Sequence, residues 1–128
     1  ATDAKAAARA VLQGVSFALR DSLEALRSTG AQLESALAIG GGAKSAYWVE
    51  MLATVLNLPL ELPEQGDFGA ALGAARLAIC GVTGAAVYDV MTKPPVAKVV
   101  VPNAALVDDY QVLYDHFHSG FPAWKALQ

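Results

Sequence analysis

The stretch Ala36-Leu37-Ala38-Ile39-Gly40-Gly41-Gly42-Ala43-Lys44-Ser45-Ala46-Tyr47-Trp48 decides the fold. Four apolar residues running into three glycines have the pattern of a buried parallel strand and the loop that leaves it. Ser45 then offers an N-cap oxygen to a helix whose inward face is Trp48, Met51, Leu52 and Val55, and Asn57 and Pro59 end that helix. The spacing predicts a second short strand over 58–62, bounded by Pro59 and Pro63. Strand, glycine loop, helix and strand in that order form a βαβ unit, which requires a right-handed crossover if the strands are parallel. The fold class is therefore α/β.

Upstream, Ala8, Val11, Leu12, Val15, Leu19, Leu23 and Leu26 have the spacing of one helix face and predict a helix over 4–28, with Gly30 just beyond it as a C-terminal cap. Gly14 inside that helix costs about 1 kcal/mol relative to Ala. Downstream, Phe68, Ala71, Leu72, Ala75 and Ile79 predict a third helix over 67–79 that lies against the sheet, with Gly69 and Gly73 one turn apart where a neighbour approaches closely. A bend at 81–84, a short helical piece over 85–91 and Pro94-Pro95 lead to a strand over 96–101 that the prolines confine to an edge. Asn103 is placed to cap a last helix carrying Leu106, Tyr110, Leu113, Tyr114 and Phe117, closed by Gly120 and Pro122. Two or three strands do not make a covered sheet, because the outer ones keep unpaired backbone groups and bare apolar faces. The pattern itself points to further protein that covers them.

A length of 128 residues allows one core, as one domain or part of one. Only 16% of the residues are charged against 55% hydrophobic. That is well under the roughly 25% charged of an average soluble chain, so part of the apolar area is expected to meet other protein. A net charge of −3 with nine scattered Lys and Arg argues against a nucleic-acid surface. The apolar stretch 77–88 falls short of the ~20 residues that cross a bilayer. Asp3, Lys5 and Arg9 break any signal-peptide core. Neither nucleic acid nor membrane is an expected partner, and the cytoplasm is the expected compartment. Cys80 is the single cysteine, so no internal disulfide forms and the thiol reads as packing.

Chemistry concentrates at the glycine loop. Glycines let a ligand approach the backbone, and N–H groups at a helix N-terminus attract phosphate oxygens. Three glycines also suit a tight strand-to-helix turn with no ligand, and the spacing leaves both readings open. A P-loop is excluded, because it needs glycine at position 43, which is Ala43, and at position 38, which is Ala38; the dinucleotide fingerprint needs glycine where Ser45 stands. Lys44 reads as a solvated surface lysine. Asp67 reads as the N-cap of the third helix rather than a metal ligand, and Glu61, Glu64 and Asp67 as a solvated acidic group on a loop. His116 and His118 point about 200° apart on a helix, which does not suit a shared metal. Ser16, Ser22, Ser28 and Ser35 have no nearby histidine and Cys80 no activating partner, so none of them has the setting of a nucleophile. Trp48, Tyr110 and Trp124 read as packing.

In order and spacing, Ala8-Arg9-Ala10-Val11-Leu12-Gln13-Gly14-Val15, residues 39–48 and Gly69-Ala70-Ala71-Leu72-Gly73-Ala74-Ala75 resemble the C-terminal domain of the FGGY carbohydrate kinase family. The resemblance covers nearly the whole chain, is most specific over 39–77 and is thinnest after Thr83. It implies a partial C-terminal lobe of the actin/hexokinase/Hsp70-like (ribonuclease H-like) ATPase fold, helix-rich with the βαβ unit, in which residues 1–128 are the C-terminal part of the ATP-binding domain. It further implies ATP and Mg²⁺ in a cleft between two lobes and phosphorylation of a sugar hydroxyl, with D-xylulose the expected sugar and ribulose, gluconate and glycerol as alternatives. Gly40, Gly41 and Gly42 would then lie against the nucleotide, and Ser45 near the adenine.

The same resemblance places the catalytic base, a phosphate-binding loop and most sugar contacts upstream, in the N-terminal lobe of the same kinase. No catalytic residue or metal ligand is therefore expected within this chain, and alone it should not catalyse, since phosphoryl transfer needs both lobes and a metal. Made without that lobe it is expected to form a homodimer or aggregate through its uncovered apolar surface. The remaining alternative is a non-catalytic nucleotide-binding or assembly module that keeps the turn without the chemistry.

Overall fold

The structure, a computed structural model, describes residues 3–64 and 69–126. Helix α1 (Ala4–Ser28) starts where the Asp3 carboxylate accepts a hydrogen bond from the Ala6 N–H at 2.7 Å, satisfying one orphan donor of the first turn. Gly30 follows the helix at φ +88°, the left-handed conformation that glycine adopts without strain. The apolar face read as one stripe proves to be two. Ser16, Phe17 and Leu23 are buried with Leu12 packed beside them, whereas Val11, Val15, Leu19 and Leu26 are exposed, Val11 by 67%. By the helix period these four line a second stripe about a quarter turn away.

Strand β1 (Ala36–Leu37), a 3-10 turn (Gly41–Lys44), helix α2 (Ala46–Leu56) and strand β2 (Leu60–Pro63) form the βαβ unit. β1 and β2 are parallel, with Ala36 opposite Leu60 and Leu37 opposite Glu61. Asn57 ends α2 in the left-handed region at φ 45°. β1 is shorter and barer than its sequence suggests, because it is the outer strand of the sheet: Leu37 and Ile39 stay 37% and 46% exposed. Strand β3 (Val96–Val100) pairs antiparallel with the other side of β2, giving a mixed sheet in the order β1-β2-β3 with β3 at the expected edge.

The last helix, α5 (Val107–Lys125), crosses α1 and α2. Asn103 caps the 3-10 turn Ala104–Leu106 that leads into it, accepting from the Ala105 N–H at 3.2 Å. α5 does not close at Gly120 and Pro122 but carries Pro122 within it. So near the helix end, a missing proline N–H removes only one ladder bond. The core consists of Leu23, Val49, Ala53, Leu56, Leu58 and Leu60 between α1, α2 and the sheet, and of Phe17, Met51, Val55, Tyr110 and Tyr114 where α5 joins them. Each such large side chain, fully buried, stabilises by about 1.5–3 kcal/mol.

Polar links fasten the same three helices. The Arg20 guanidinium donates to the Val55 carbonyl in the last turn of α2 at 3.0 Å, donates to Gln111 of α5 and lies 4.4 Å from the Tyr114 ring centroid. The Thr54 hydroxyl donates to the Glu50 carbonyl and accepts from the Asn103 N–H at 3.1 Å, tying the approach to α5 onto α2.

Helices α3 (Ala70–Thr83) and α4 (Val87–Val90) form a separate arm. The expected N-cap Asp67 and the face residue Phe68 lie outside the described residues. The bend expected at 81–84 is reduced to its end, since α3 continues to Thr83 and stops at Gly84, φ +69°. Contrary to expectation α3 does not lie against the sheet. It has no buried residue, Leu77 and Val82 are 62% and 87% exposed, and its main neighbour is α4. Burial needs an opposing surface, and among the described residues α3 has chiefly the four-residue α4. Among the described residues no helix is long and apolar enough to cross a membrane.

Candidate functional site

The strand-to-helix junction brings together Gly40, Gly41, Gly42 and Ser45, the four residues singled out by sequence. Gly40 leaves β1 at φ +85°, ψ −176°, a conformation that a side chain makes costly. The backbone then tightens, with the Ala43 N–H donating to the Gly40 carbonyl at 3.1 Å and the Ser45 N–H to the Gly42 carbonyl at 3.0 Å. The Ser45 hydroxyl accepts from the Trp48 N–H at 3.3 Å and so caps α2, as its position predicts. No acidic residue occupies the first turn of α2, leaving its positive dipole end without a carboxylate.

The three glycines answer to three different demands. Gly40 is required by its positive φ. Gly42 has no positive φ, but a Cβ there would stand 2.7 Å from Cε3 of the Trp48 ring. Gly41 has neither constraint: its φ is not positive and no described atom lies within 4 Å of where its Cβ would be. What Gly41 offers is bare backbone, facing open space at the head of a helix. That is the shape a nucleotide lying against main chain requires, and the junction therefore fits such a ligand.

Behind the turn Trp48 is anchored across the fold. Its indole Nε1–H donates to the Ser16 hydroxyl at 3.1 Å, and that hydroxyl, fully buried in α1, donates to the Leu12 carbonyl at 2.8 Å. A cavity of about 340 Å³ opens beside it, lined among others by Leu19, Ile39, Gly42, Trp48 and Leu52. Its walls are almost wholly apolar. Gly42 lines this cavity, whereas Gly40, Gly41 and Ser45 do not.

Lys44 is exposed, as a surface lysine would be. Glu61 is not part of a solvated acidic loop: it sits in β2 with its side chain only 14% exposed, accepts from the Ser35 hydroxyl at 2.7 Å and pairs with Lys93 Nζ at 2.6 Å. The bond from Lys93, then that from Ser35 and the lysine charge hold its carboxyl below the ordinary glutamate range. His118 meets Asp21 of α1, Nδ1 to Oδ1 at 2.8 Å, and Asp21 also accepts from the Tyr114 hydroxyl at 2.7 Å. Among the described residues no group of three His, Cys, Asp or Glu gathers as a metal site. Sequence reasoning took Trp48 for packing alone; Ser16, a hydroxyl set among Val15, Phe17, Ala18 and Leu19 of α1, was the signal that an indole N–H needed a partner.

Residues 1–82 match the FGGY family of carbohydrate kinases, C-terminal domain, and the chain belongs to that family, whose kinases take their phosphoryl group from ATP. Particular relatives narrow the picture. The xylulose kinase of Escherichia coli (strain K12) is 39% identical over 105 residues, covering 81% of this chain and 22% of that protein. The xylulose kinase of Klebsiella pneumoniae is 39% identical over 121 residues, 94% of this chain and 25% of that one. Among solved structures, a xyloylose kinase from Brucella ovis has a TM-score of 0.85 at 46% identity over 99% of this chain and 27% of its own. A gluconate kinase from Lactobacillus acidophilus has a TM-score of 0.71 at 26% identity, over 92% and 24%. The fold is accordingly that of the actin- and hexokinase-like kinases, and the chain spans about a quarter of the length of these relatives.

Proposed function

We propose that this chain is the C-terminal part of the ATP-binding domain of a cytoplasmic sugar kinase that converts D-xylulose to D-xylulose 5-phosphate. The observation that carries the nucleotide assignment is Gly41, a glycine that neither its backbone angle nor any described neighbour requires, set at the head of α2. Gly40 and Gly42 hold that backbone in place, the nucleotide's adenosine lies along it, and Ser45 stands near the adenine while capping the helix. Mg²⁺ would accompany the phosphates in the cleft between the lobes, and no residue of this chain is assigned to it.

The partner we assign is the N-terminal lobe of the same kinase, which brings the catalytic base and most sugar contacts. The open edge of β1, the Val11, Val15, Leu19 and Leu26 stripe of α1 and the bare α3 are the surfaces left for the rest of the kinase to cover. The choice of xylulose follows the relatives named as xylulose kinases. The similarity to a gluconate kinase keeps a second sugar in view, because the nucleotide turn does not choose the acceptor.

ADP release by the complete gene product with MgATP and, in turn, D-xylulose, D-ribulose, gluconate and glycerol tests the reading. Turnover stimulated by D-xylulose supports it whole, and preference for another sugar corrects the substrate alone. Absence of turnover with every sugar, despite ATP binding, would leave a non-catalytic nucleotide-binding module. The site is tested by Gly41→Val, which places a branched side chain on the bare backbone and is expected to weaken ADP binding tenfold or more by calorimetry. Unchanged affinity would remove the turn from the nucleotide site.

A further inference from the structure

We propose that Trp48 is the positioning residue of the glycine turn, its indole standing in for the side chain that Gly42 lacks and holding the Gly40–Gly42 backbone where the nucleotide meets it. The inference rests on the nucleotide reading of the turn. Its basis is a chain of contacts that begins outside the turn. Leu12 offers its carbonyl to Ser16, the buried Ser16 hydroxyl receives the indole N–H, and the far edge of the same ring occupies the space above Gly42. The hydrogen bond fixes the ring at one end, so the position of its other end is set by α1 rather than by local packing. The Ser45 cap meanwhile holds the Trp48 main chain, so backbone and side chain of one residue brace the turn from two sides. A buried indole N–H takes a partner in any case; what core filling alone does not require is a glycine opposite the ring.

The test is a cycle of variants in the complete gene product, read by ADP calorimetry and by hydrogen exchange of the Gly41–Lys44 amides without nucleotide. Gly42→Ala, which is free of backbone strain, is expected to weaken ADP binding tenfold or more because its Cβ displaces the ring. Trp48→Leu should weaken it comparably and speed exchange in the turn. The double variant should bind ADP no more weakly than Trp48→Leu alone, since the alanine then has room. Ser16→Ala keeps the ring but frees its end and should speed turn exchange about threefold or more, with the KM for the sugar unchanged. Trp48→Phe, which retains most of the ring, covers the case of a Trp48→Leu protein that does not fold and should fall between it and the wild type. Losses that multiply in the double variant, or Gly42→Ala binding like wild type, would overturn the proposal. Wild-type protein that binds no ADP would instead defeat the nucleotide reading, while turn exchange in Ser16→Ala and Trp48→Phe would still decide whether Trp48 holds the turn.

Discussion

α2 and α3 are both short apolar helices entered through glycine, yet the fold treats them in opposite ways. α2 buries Val49, Met51, Ala53, Thr54, Val55 and Leu56, while α3, longer by three residues (14 against 11), buries none. Apolar content does not separate them; surroundings do. α2 has α1 along one side, the sheet beneath and α5 across it, whereas α3 has chiefly the four-residue α4. Leu77, Ile79 and Val82 are therefore surface that the described residues leave uncovered, Ile79 and Val82 on one side of the helix and Leu77 on the other. The stripe of Val11, Val15, Leu19 and Leu26 on α1 repeats the situation on the body itself.

The contrast is open to direct attack. Leu60, 2% exposed beneath α2, should cost about 2–5 kcal/mol when changed to Ala, read as a lowered urea midpoint of the chain. A loss under about 1 kcal/mol would mean that the body is no better packed than the arm. A smaller effect is expected at the seam of α1 and α5. Burial first, then the bond to Asp21 and its negative charge, push the Tyr114 phenol up to about 12. Burial alone would raise the Asp21 carboxyl, but the bonds from Tyr114 and His118 and the imidazolium charge more than offset it and hold it low. A raised phenol stabilises fully below its unfolded value near 10 and loses that contribution as pH climbs through about 12. A lowered carboxyl stabilises above its unfolded value near 4 and loses the contribution as pH falls through the lower folded value. Tyr114→Phe should therefore cost about 1 kcal/mol between roughly pH 5 and 9, shrinking toward either extreme. A pH-independent difference would show that the hydroxyl contact is not formed. The smallest effect belongs to the arm: Leu77→Ala, at a side chain 62% exposed, should change the urea midpoint of the chain by under about 0.5 kcal/mol equivalent. A cost like that of Leu60→Ala would show that α3 is buried after all.

What could be read from the sequence follows the range of the forces involved. The βαβ unit, the Ser45 cap and the Asn57 stop are local, written within a few residues, and each is found where its pattern places it. Gly40, Gly41, Gly42 and Ser45, the proposed nucleotide site, are neighbours in one turn for the same reason. The face of α1 was misjudged because Val11, Val15, Leu19 and Leu26 are as apolar as Leu12 and Leu23, and periodicity cannot say which of two adjoining stripes meets α2. The lie of α3 depends on a partner surface, which no helical spacing encodes. Glu61 lies within the strand read over 58–62, but its pairing is not legible there, because Lys93 and Ser35 are 32 and 26 residues away; the anchor of Trp48 likewise lies 32 residues upstream.

Arg20 gives the body a mechanical character. A single planar cation holds the last turn of α2 at 3.0 Å, grips Gln111 of α5 and lies against the face of Tyr114, all from one position on α1. Sliding any of the three helices along another must break a charged hydrogen bond or unstack the ring, so shear is resisted in every direction that the helices could take. The glycine turn sits at the opposite end of α2 from this clamp. A rod pinned at its far end transmits load instead of yielding to it, and the body beneath the turn is in that sense an anvil.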